Sequence, residues 1–325
     1  MFEPFQIDTL NLRNRIVLSP FVENQANRDG TVSQAMMDYY VGMARDGVGL
    51  VIIESAFVAQ QGRAHFNQLG IHTERHLNSL EKLVKAIKAE GAAVGLRLSH
   101  AGARTSEIIT QEQPLAPSII NFGKDFDPSR EFDDGDVEEI ILFFVHAAER
   151  AEEAGVDLIE LNGSQQFLLD QCMSTRYNNR FDDYGGAIEQ RMSLSVQITK
   201  AIKSRLSTKI PISYFFSIHD KLEDGFTDDD LKRMLRVLVN AKMEFFHPVS
   251  IHVLNKFFET EETLMEWVAK FTKKPMIIEG NIKSPQILKE TIAMGKAQLL
   301  ALDKVIFSRL NWYAFLQKKI APPLV

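Results

Sequence analysis

The chain has 325 residues, of which 45% are hydrophobic and 25% charged, a composition typical of a globular protein with a large core. Its net charge of −6 argues against broad affinity for nucleic acid or anionic membranes, and no apolar run approaches the roughly 20 residues of a membrane span. The single cysteine, Cys172, excludes an internal disulfide framework and, with no signal peptide recognisable, predicts a cytoplasmic protein.

Short apolar runs alternate with longer segments of helical periodicity, which predicts parallel strand–helix–strand units. The predicted strands are Ile16–Pro20, Leu50–Ser55, Ala93–His100, Leu158–Asn162, Pro211–Phe216, Phe245–Val249, Pro275–Glu279 and Leu299–Asp303. Eight such units fit an α/β fold of the (β/α)8 TIM barrel type, with residues 1–325 as one domain. The alternative is an open doubly wound sheet, which usually brings a G-x-G-x-x-G turn when it binds a nucleotide, and the sequence has none.

Three other segments complete the predicted architecture. The alternation of Phe5, Ile7, Leu10 and Leu12 predicts a hairpin that plugs the base of the barrel. Helices are predicted to end before Gly91 and Gly155, and another spans Asp228–Asn240. The stretch of about residues 101–135 is too long for an ordinary connection, so it is predicted to be a loop that covers the carboxyl-terminal mouth of the barrel.

Polar residues occur inside two strands that a barrel would cover on both faces. Alternation places Arg97 and Ser99 on one face of the third strand, and Glu160 and Asn162 on one face of the fourth. These side chains are predicted to point into the barrel, because the opposite faces are apolar. Arg97, His100 and Asn162 fall near strand ends, where barrel active sites lie, whereas Glu160 lies deeper and is predicted to belong to a structural polar network.

Residues 178–191, NNRFDDYGGAIEQR, resemble the signature N-x-R-x-D-x-Y-G-G-S-x-E-N-R of the old yellow enzyme family. Further matches are Asn14-Arg15-Ile16-Val17 followed by Ser19-Pro20, and His100-Ala101-Gly102 after the third strand. On these matches, which cover most of the chain in the same order, the chain is identified as a member of that family. The resemblance implies an oxidoreductase: a barrel that carries FMN at its mouth, takes hydride from NADH or NADPH, and passes it to an electrophilic acceptor such as an activated alkene.

The family's catalytic residues after strand four are replaced in this chain. The resemblance implies a pair of histidines, or a histidine and an asparagine, that hydrogen-bond the substrate carbonyl, and a tyrosine that supplies a proton. The corresponding residues here are Asn162, Gln165 and Phe167. The two amides can still donate hydrogen bonds, but they do not titrate near neutral pH, and Phe167 has no proton to give. Asn162 and Gln165, with Asn24 and His100, are the predicted substrate-binding residues.

The predicted contacts to the flavin ring are Ser19, Pro20, Phe21, Ser55, Arg97 and Phe215. Two of them depart from the family, which usually has glutamine on strand three and arginine on strand five, where this chain has Arg97 and Phe215. One hypothesis is that Arg97 takes over the cationic role and stabilises the negative charge of reduced flavin. The alternative is that Arg97 pairs with Glu160 and serves only the core.

The phosphate of FMN is expected at the loops after strands seven and eight. Gly280 and Asn281 follow strand seven and bring backbone N–H groups to that place. After strand eight the family has Gly-Arg, whereas this chain has Asp303-Lys304. Lys304 keeps a positive charge without the bidentate fork of arginine, and Asp303 would repel a phosphate if it faced inward.

Two functions remain open at this point. The first is an FMN-dependent oxidoreductase whose acceptor is an enone, a quinone, free flavin or oxygen. The second is a barrel that has lost redox chemistry and binds a ligand or a partner protein, for which Phe167, Phe215 and Asp303 argue. The visible absorption spectrum of the purified protein distinguishes these two functions. No metal site is predicted, and a homo-oligomer is compatible with the sequence.

Overall fold

The protein is described by a computed structural model that covers residues 1–7, 9–20, 24–223 and 225–320, without the side chains of residues 220 and 221. Phe21 therefore lies outside the described residues. Two short strands open the chain, β1 (Phe5–Ile7) and β2 (Leu10–Leu12), and pair antiparallel. In the part of the chain that the structure describes, no helix is long and apolar enough to cross a membrane.

Eight parallel strands form one sheet that curls into a barrel. In chain order they are β3 (Ile16–Leu18), β4 (Leu50–Phe57), β5 (Ala93–Ser99), β8 (Leu158–Gly163), β9 (Ile212–Ser217), β10 (Phe245–Val249), β11 (Ile277–Ile278) and β12 (Leu299–Ala301). Their spatial order is β10-β9-β8-β5-β4-β3-β12-β11, so strands that follow one another in the chain lie side by side and the first of the eight, β3, pairs with the last, β12. Single bridges from Phe246 to Met276 and from Val249 to Glu279 join β10 to β11, and the predicted (β/α)8 TIM barrel is confirmed.

Helices surround this barrel, and several begin at a side-chain cap. They are α1 (Gln34–Arg45), α2 (Glu74–Ala89), α3 (Glu107–Thr110), α4 (Asp134–Glu153), α5 (Leu168–Met173), α6 (Ile188–Arg191), α7 (Ser193–Arg205), α8 (His219–Leu222), α9 (Asp228–Asn240), α10 (Leu264–Phe271), α11 (Pro285–Ala293), α12 (Lys304–Phe307) and α13 (Trp312–Ile320), with a 3-10 turn at Gln60–Gly62. Thr227 caps α9 and forms a reciprocal capping box with Asp230. Gly91 and Gly155 follow α2 and α4 with φ of 83°, as predicted for helix ends.

The lower half of the barrel interior is apolar. Inward side chains such as Val17, Leu50 and Leu158 form one buried cluster with Leu10 and Leu12 of the hairpin, which confirms the predicted plug at the base. Four strands end before their predicted last residue: β3 at Leu18, β5 at Ser99, β11 at Ile278 and β12 at Ala301. The predicted residues beyond these ends lie at the mouth of the barrel.

The long segment after β5 contains α3 and a small pair of parallel strands, β6 (Leu115–Ala116) and β7 (Arg130–Glu131). The signature run 178–191 holds this segment in place through Arg180. Its guanidinium donates to the backbone carbonyls of Pro117 and Phe132 and pairs with the carboxylates of Glu131 and Asp182. The matched residues thus serve a structural purpose, because they anchor the loop beside the mouth.

Candidate active site at the carboxyl ends of the strands

A layer of buried polar residues lies directly above the apolar base of the barrel. Strand alternation brings Arg97 of β5 beside Glu160 of β8, and the register pairs these two residues across the strands. Both side chains are almost fully buried, with 1% and 0% of their surface exposed. A buried charge is tolerated only when it is paired and hydrogen-bonded, so the contacts of these two side chains determine what the layer can do.

Glu160 is the centre of the hydrogen-bond network in this layer. Its Oε1 accepts from Nε of Arg97 at 2.8 Å. Its Oε2 lies 3.1 Å from the Ser213 hydroxyl, which donates to it, and 2.7 Å from Nδ1 of His247. Glu160 therefore neutralises a cation on each side, and the pairing of Arg97 with Glu160 confirms the structural alternative for that carboxylate.

The network continues from His247 to the rim of the barrel. Nε2 of His247 lies 3.1 Å from Oε2 of Glu279, whose side chain is 26% exposed. The hydroxyl of Ser19 donates to Glu279 and lies 3.4 Å from Nη2 of Arg97, from which it accepts a weak hydrogen bond. With His247 protonated, the two cations of this network face the carboxylates of Glu160 and Glu279.

The pKa values agree with that charge state. Burial alone would raise the pKa of Glu160, but the charges and hydrogen bonds of His247 and Arg97 outweigh it and lower the pKa to about 2. Burial alone would lower the pKa of His247, but the charge of Glu160, its hydrogen bond and the nearby Glu279 raise it above the usual 6.5. The folded structure therefore favours the imidazolium form of His247.

These shifts predict how stability depends on pH. Because the pKa of His247 is raised on folding, its contribution is complete below pH 6.5 and is lost as pH rises through the folded value. Because the pKa of Glu160 is lowered, its contribution is present above pH 4.5 and is lost as pH falls towards about 2. Urea unfolding should show a free energy that declines on the alkaline side in the wild type and declines less in His247→Gln. Equal slopes in the two proteins would contradict this assignment.

Phe215 covers the inner cation. The guanidinium of Arg97 lies 3.5 Å from the centre of its ring, and the ring meets His247 edge-on at 4.9 Å. Phe215 is only 3% exposed. Arg97 and Phe215, both predicted to touch the flavin, thus contact each other. The charge of Arg97 is already compensated by Glu160. Their contact with a flavin remains a prediction.

The end of β8 carries the predicted amide pair. Nδ2 of Asn162 donates to Oε1 of Gln165 at 3.1 Å and to the Ser55 hydroxyl at 3.2 Å. Both N–H bonds of the Asn162 amide are therefore used inside the protein. This leaves Nε2 of Gln165 as the donor that the pair can offer to a ligand. The sequence alone had suggested a donor from each of the two amides.

The other residues predicted beside the amide pair fall in two places. Phe167 is buried and lines a small enclosed space of about 10 Å³ together with Asn24 and Ser55. His100 is 1% exposed, its Nδ1 accepts from the Gly102 amide, and burial lowers its pKa to about 3. Because it is neutral and lies beneath the loop, His100 is placed to anchor the loop, and the structure does not bring it to the cavity.

A cavity of about 460 Å³ opens at the carboxyl ends of β8, β9 and β10. Its lining includes Arg104 from the long loop, the serines Ser164, Ser217 and Ser250, and the amides of Gln165 and Gln166. Small-molecule sites usually measure about 300–1,000 Å³, so the cavity is large enough for a ligand. Gln165 is the one predicted site residue in this lining.

The predicted phosphate residues lie at the ends of β11 and β12. Gly280 and Asn281 adopt φ of 153° and 56°, which glycine and asparagine tolerate best. The Asp303 carboxylate caps α12, where its Oδ1 accepts from the Val305 amide at 2.9 Å. Lys304 begins that helix and is exposed.

Sequence reasoning missed three members of the polar layer: Ser213, His247 and Glu279. The signal that found Arg97 and Glu160 was also present here, since His247 lies two residues after Phe245 on the inward face of β10. The same alternation relates Glu279 to Ile277. Applied to every strand, the rule would have predicted the whole layer.

The mouth can be compared with what FMN requires. The cavity has the volume of a small-molecule site, the β8 end supplies amide and hydroxyl groups, and Lys304 supplies a cation after β12. The poorest match is Asp303, whose carboxylate adds negative charge and occupies a backbone N–H of the same loop. The residues present therefore fit FMN, with the weakest fit at its phosphate.

Comparison with known proteins gives a consistent result. The family model described as "NADH:flavin oxidoreductase / NADH oxidase family" matches residues 1–322. An NADH oxidase of Thermoanaerobacter brockii is 35% identical over 96% of this chain, which spans about half (50%) of that protein's length. An NADPH dehydrogenase of Clostridium acetobutylicum is 28% identical over 94% of this chain and 90% of its own length.

Solved structures show the same fold at lower identity. Morphinone reductase in complex with tetrahydroNAD has a TM-score of 0.85 at 20% identity, covering 98% of this chain and 91% of that one. An old yellow enzyme homologue from Zymomonas mobilis has a TM-score of 0.81 at 20% identity, covering 93% and 87%.

Proposed function

The chain belongs to the NADH:flavin oxidoreductase / NADH oxidase family, and on that premise we propose that it is an FMN-dependent NAD(P)H oxidoreductase whose acceptor needs no proton from residue 167. The family and the old yellow enzyme fold indicate FMN as cofactor and NADH or NADPH as reductant. We further propose that residues 1–325 act as one domain, with the loop after β5 as the cover of its mouth.

The observation that carries this proposal is the chemistry at the end of β8. An amide pair replaces titratable side chains there, and the aromatic ring of Phe167 lies next to Ser55 without a hydroxyl of its own. General acid catalysis contributes typically about 10²–10⁴-fold, so alkene reduction suffers most from this arrangement. The reduction of a quinone, a flavin or oxygen is slowed least, because water can supply the proton after electron transfer.

Each group of residues has a distinct part in the proposed reaction. Bound FMN would supply the transfer of hydride from NAD(P)H to the acceptor. Nε2 of Gln165 orients an acceptor oxygen, with Asn162 fixing the position of the Gln165 amide through the 3.1 Å hydrogen bond. Ser19, Pro20 and Ser55 stand at the strand ends where a ring system would rest, and Arg97 adds a local positive charge that Glu160 moderates.

The visible absorption spectrum of the purified protein, before and after incubation with excess FMN and removal of the unbound fraction, tests the proposal. We expect a flavin spectrum that bleaches anaerobically with NADH or NADPH, and turnover with a benzoquinone that greatly exceeds turnover with 2-cyclohexenone. A protein that stays colourless after FMN is added would overturn the proposal and favour the redox-inactive barrel.

The Asp303 carboxylate should weaken the binding of FMN. Removing a unit charge at about 4 Å in water changes an interaction by about 1 kcal/mol, or roughly fivefold in affinity. We therefore expect Asp303→Asn, whose amide can still cap α12, to lower the Kd for FMN roughly fivefold in a fluorescence-quenching titration. Glu290→Gln, an exposed position on α11, serves as the control for net charge. An unchanged Kd in Asp303→Asn would place the phosphate elsewhere.

A further inference from the structure

The cavity at the ends of β8, β9 and β10 is lined by basic side chains and by no described acidic one. Arg104 and His219 belong to its lining, and none of the lining residues that the structure describes is an aspartate or glutamate. The hydroxyls of Ser164, Ser217 and Ser250 add further hydrogen-bond donors. A concave site rich in donors and poor in carboxylates is suited to an anion.

Arg104 differs from the other arginines near the mouth. Arg97 pairs with Glu160, and Arg180 pairs with Glu131 and Asp182. Arg104 forms no salt bridge to a carboxylate in the described part of the chain, and its guanidinium donates to the neutral Oε1 of Gln166. Its charge is therefore not compensated within the described part of the chain, and the five donors of a guanidinium are not exhausted by one amide.

Two aromatic rings hold the Arg104 guanidinium without neutralising it. Its central carbon lies 5.8 Å from the ring centre of Phe122 and 5.6 Å from that of Phe126, both within the range of cation–π contacts. These rings belong to the long loop, so the loop fixes the cation at the edge of the cavity. The position of the charge is thus set before any ligand arrives.

The glutamines beside Arg104 are also held rigidly. Gln165 and Gln166 both adopt left-handed backbone conformations, with φ of 64° and 57°. Such conformations are costly for residues other than glycine and persist where surrounding contacts enforce them, often at ligand sites. Here the Asp170 carboxylate accepts the Gln166 amide at 2.6 Å, which fixes the turn and directs both glutamines to the lining.

From this arrangement we propose that the cavity binds the oxyanion of a small-molecule reactant, a carboxylate or a phosphate, with Arg104 as its principal anchor. This rests on the proposed function, since it takes the ligand to be one of the two redox reactants. Gln165 lies in the same lining and faces the reacting part of the acceptor in that function. An acceptor that carries a carboxylate is one source of the oxyanion, and the ribose phosphate of NADPH is the other.

Calorimetric titration of the purified protein with benzoate and with its neutral counterpart benzamide tests the site without requiring activity. We expect benzoate to bind at least tenfold more tightly than benzamide. Arg104→Gln, which can keep the contact to Gln166, should lose about tenfold in benzoate affinity and leave benzamide unchanged, and Arg104→Lys should lie between them. Arg176→Gln, which removes an exposed arginine that does not line the cavity, should behave as the wild type.

Steady-state kinetics of the same variants distinguishes the two sources. A raised KM for a quinone carboxylate but not for its amide assigns the oxyanion to the acceptor, and a raised KM for NADPH but not NADH assigns it to the nucleotide. Benzoate binding that depends on Arg104 in a protein without NAD(P)H oxidation would support the site and overturn the redox function. Equal affinities for benzoate and benzamide, or benzoate affinity unchanged in Arg104→Gln, would overturn the site itself.

Discussion

Replacing Glu160 with glutamine is expected to lower the free energy of unfolding by about 3–5 kcal/mol. The side chain is fully buried and compensates two cations, Arg97 at 2.8 Å and His247 at 2.7 Å. An amide of the same shape leaves buried Arg97 without its carboxylate partner and His247 with Glu279 as its remaining carboxylate. Urea denaturation followed by circular dichroism measures the change.

The control is a carboxylate in an exposed ion pair. Glu81→Gln removes the partner of Lys85 on α2, where the side chains are 38% and 72% exposed, and should cost less than about 0.5 kcal/mol. The double variant Arg97→Gln with Glu160→Gln should cost less than the sum of its single changes, because it leaves no arginine unpaired. A loss below about 1 kcal/mol in Glu160→Gln would show that the layer contributes little to stability.

Replacing Phe167 with tyrosine is expected to raise kcat/KM for 2-cyclohexenone by about 10²-fold, the lower end of what a general acid contributes. The Phe167 ring borders an enclosed space of about 10 Å³, which is about the room that one oxygen atom needs. A tyrosine hydroxyl therefore fits without displacing Asn24 or Ser55, and it would supply the proton that the present residue lacks. The rate of alkene-dependent NAD(P)H oxidation measures the gain.

Benzoquinone is the internal control for this variant. Its reduction does not depend on a proton from residue 167, so Phe167→Tyr should leave kcat/KM for the quinone within about twofold of the wild type. Equal gains with both acceptors would point to better flavin binding and would contradict a role in proton transfer. No gain with either acceptor would mean that the missing proton is not what limits alkene reduction.

Much of the fold could be predicted from the sequence, because periodicity reports which faces of an element are buried. The strand around Leu158 and the hairpin from Phe5 to Leu12 were located correctly, since alternating side chains must separate core from surface. Strand ends were the weak point. Glu279 lies just beyond the end of β11 and still bridges Val249, while its carboxylate contacts Ser19 and His247, contacts that local sequence does not reveal.

The site was predicted less completely than the fold. The pairing of Arg97 with Glu160 followed from two adjacent strands whose polar residues share a face. The position of Asp303 did not, because only the backbone of α12 shows that its carboxylate caps that helix and so lies beside the loop after β12. Arg104 was not predicted as a site residue, because an arginine in a loop is usually a solvated surface residue and only its neighbours in space show otherwise.

The sequence by itself determined the parallel eight-strand barrel, the family, and the residue types Asn162, Gln165 and Phe167 that come at and after the end of strand four. These depend on residue type, order and spacing, which the chain states directly. Only the tertiary structure showed which charges are compensated. It also showed that the Asn162 amide donates to Ser55 and Gln165, and that Arg104 lines a cavity. Electrostatic and hydrogen-bonding roles depend on distances between residues far apart in the chain, and those distances exist only once the barrel has closed.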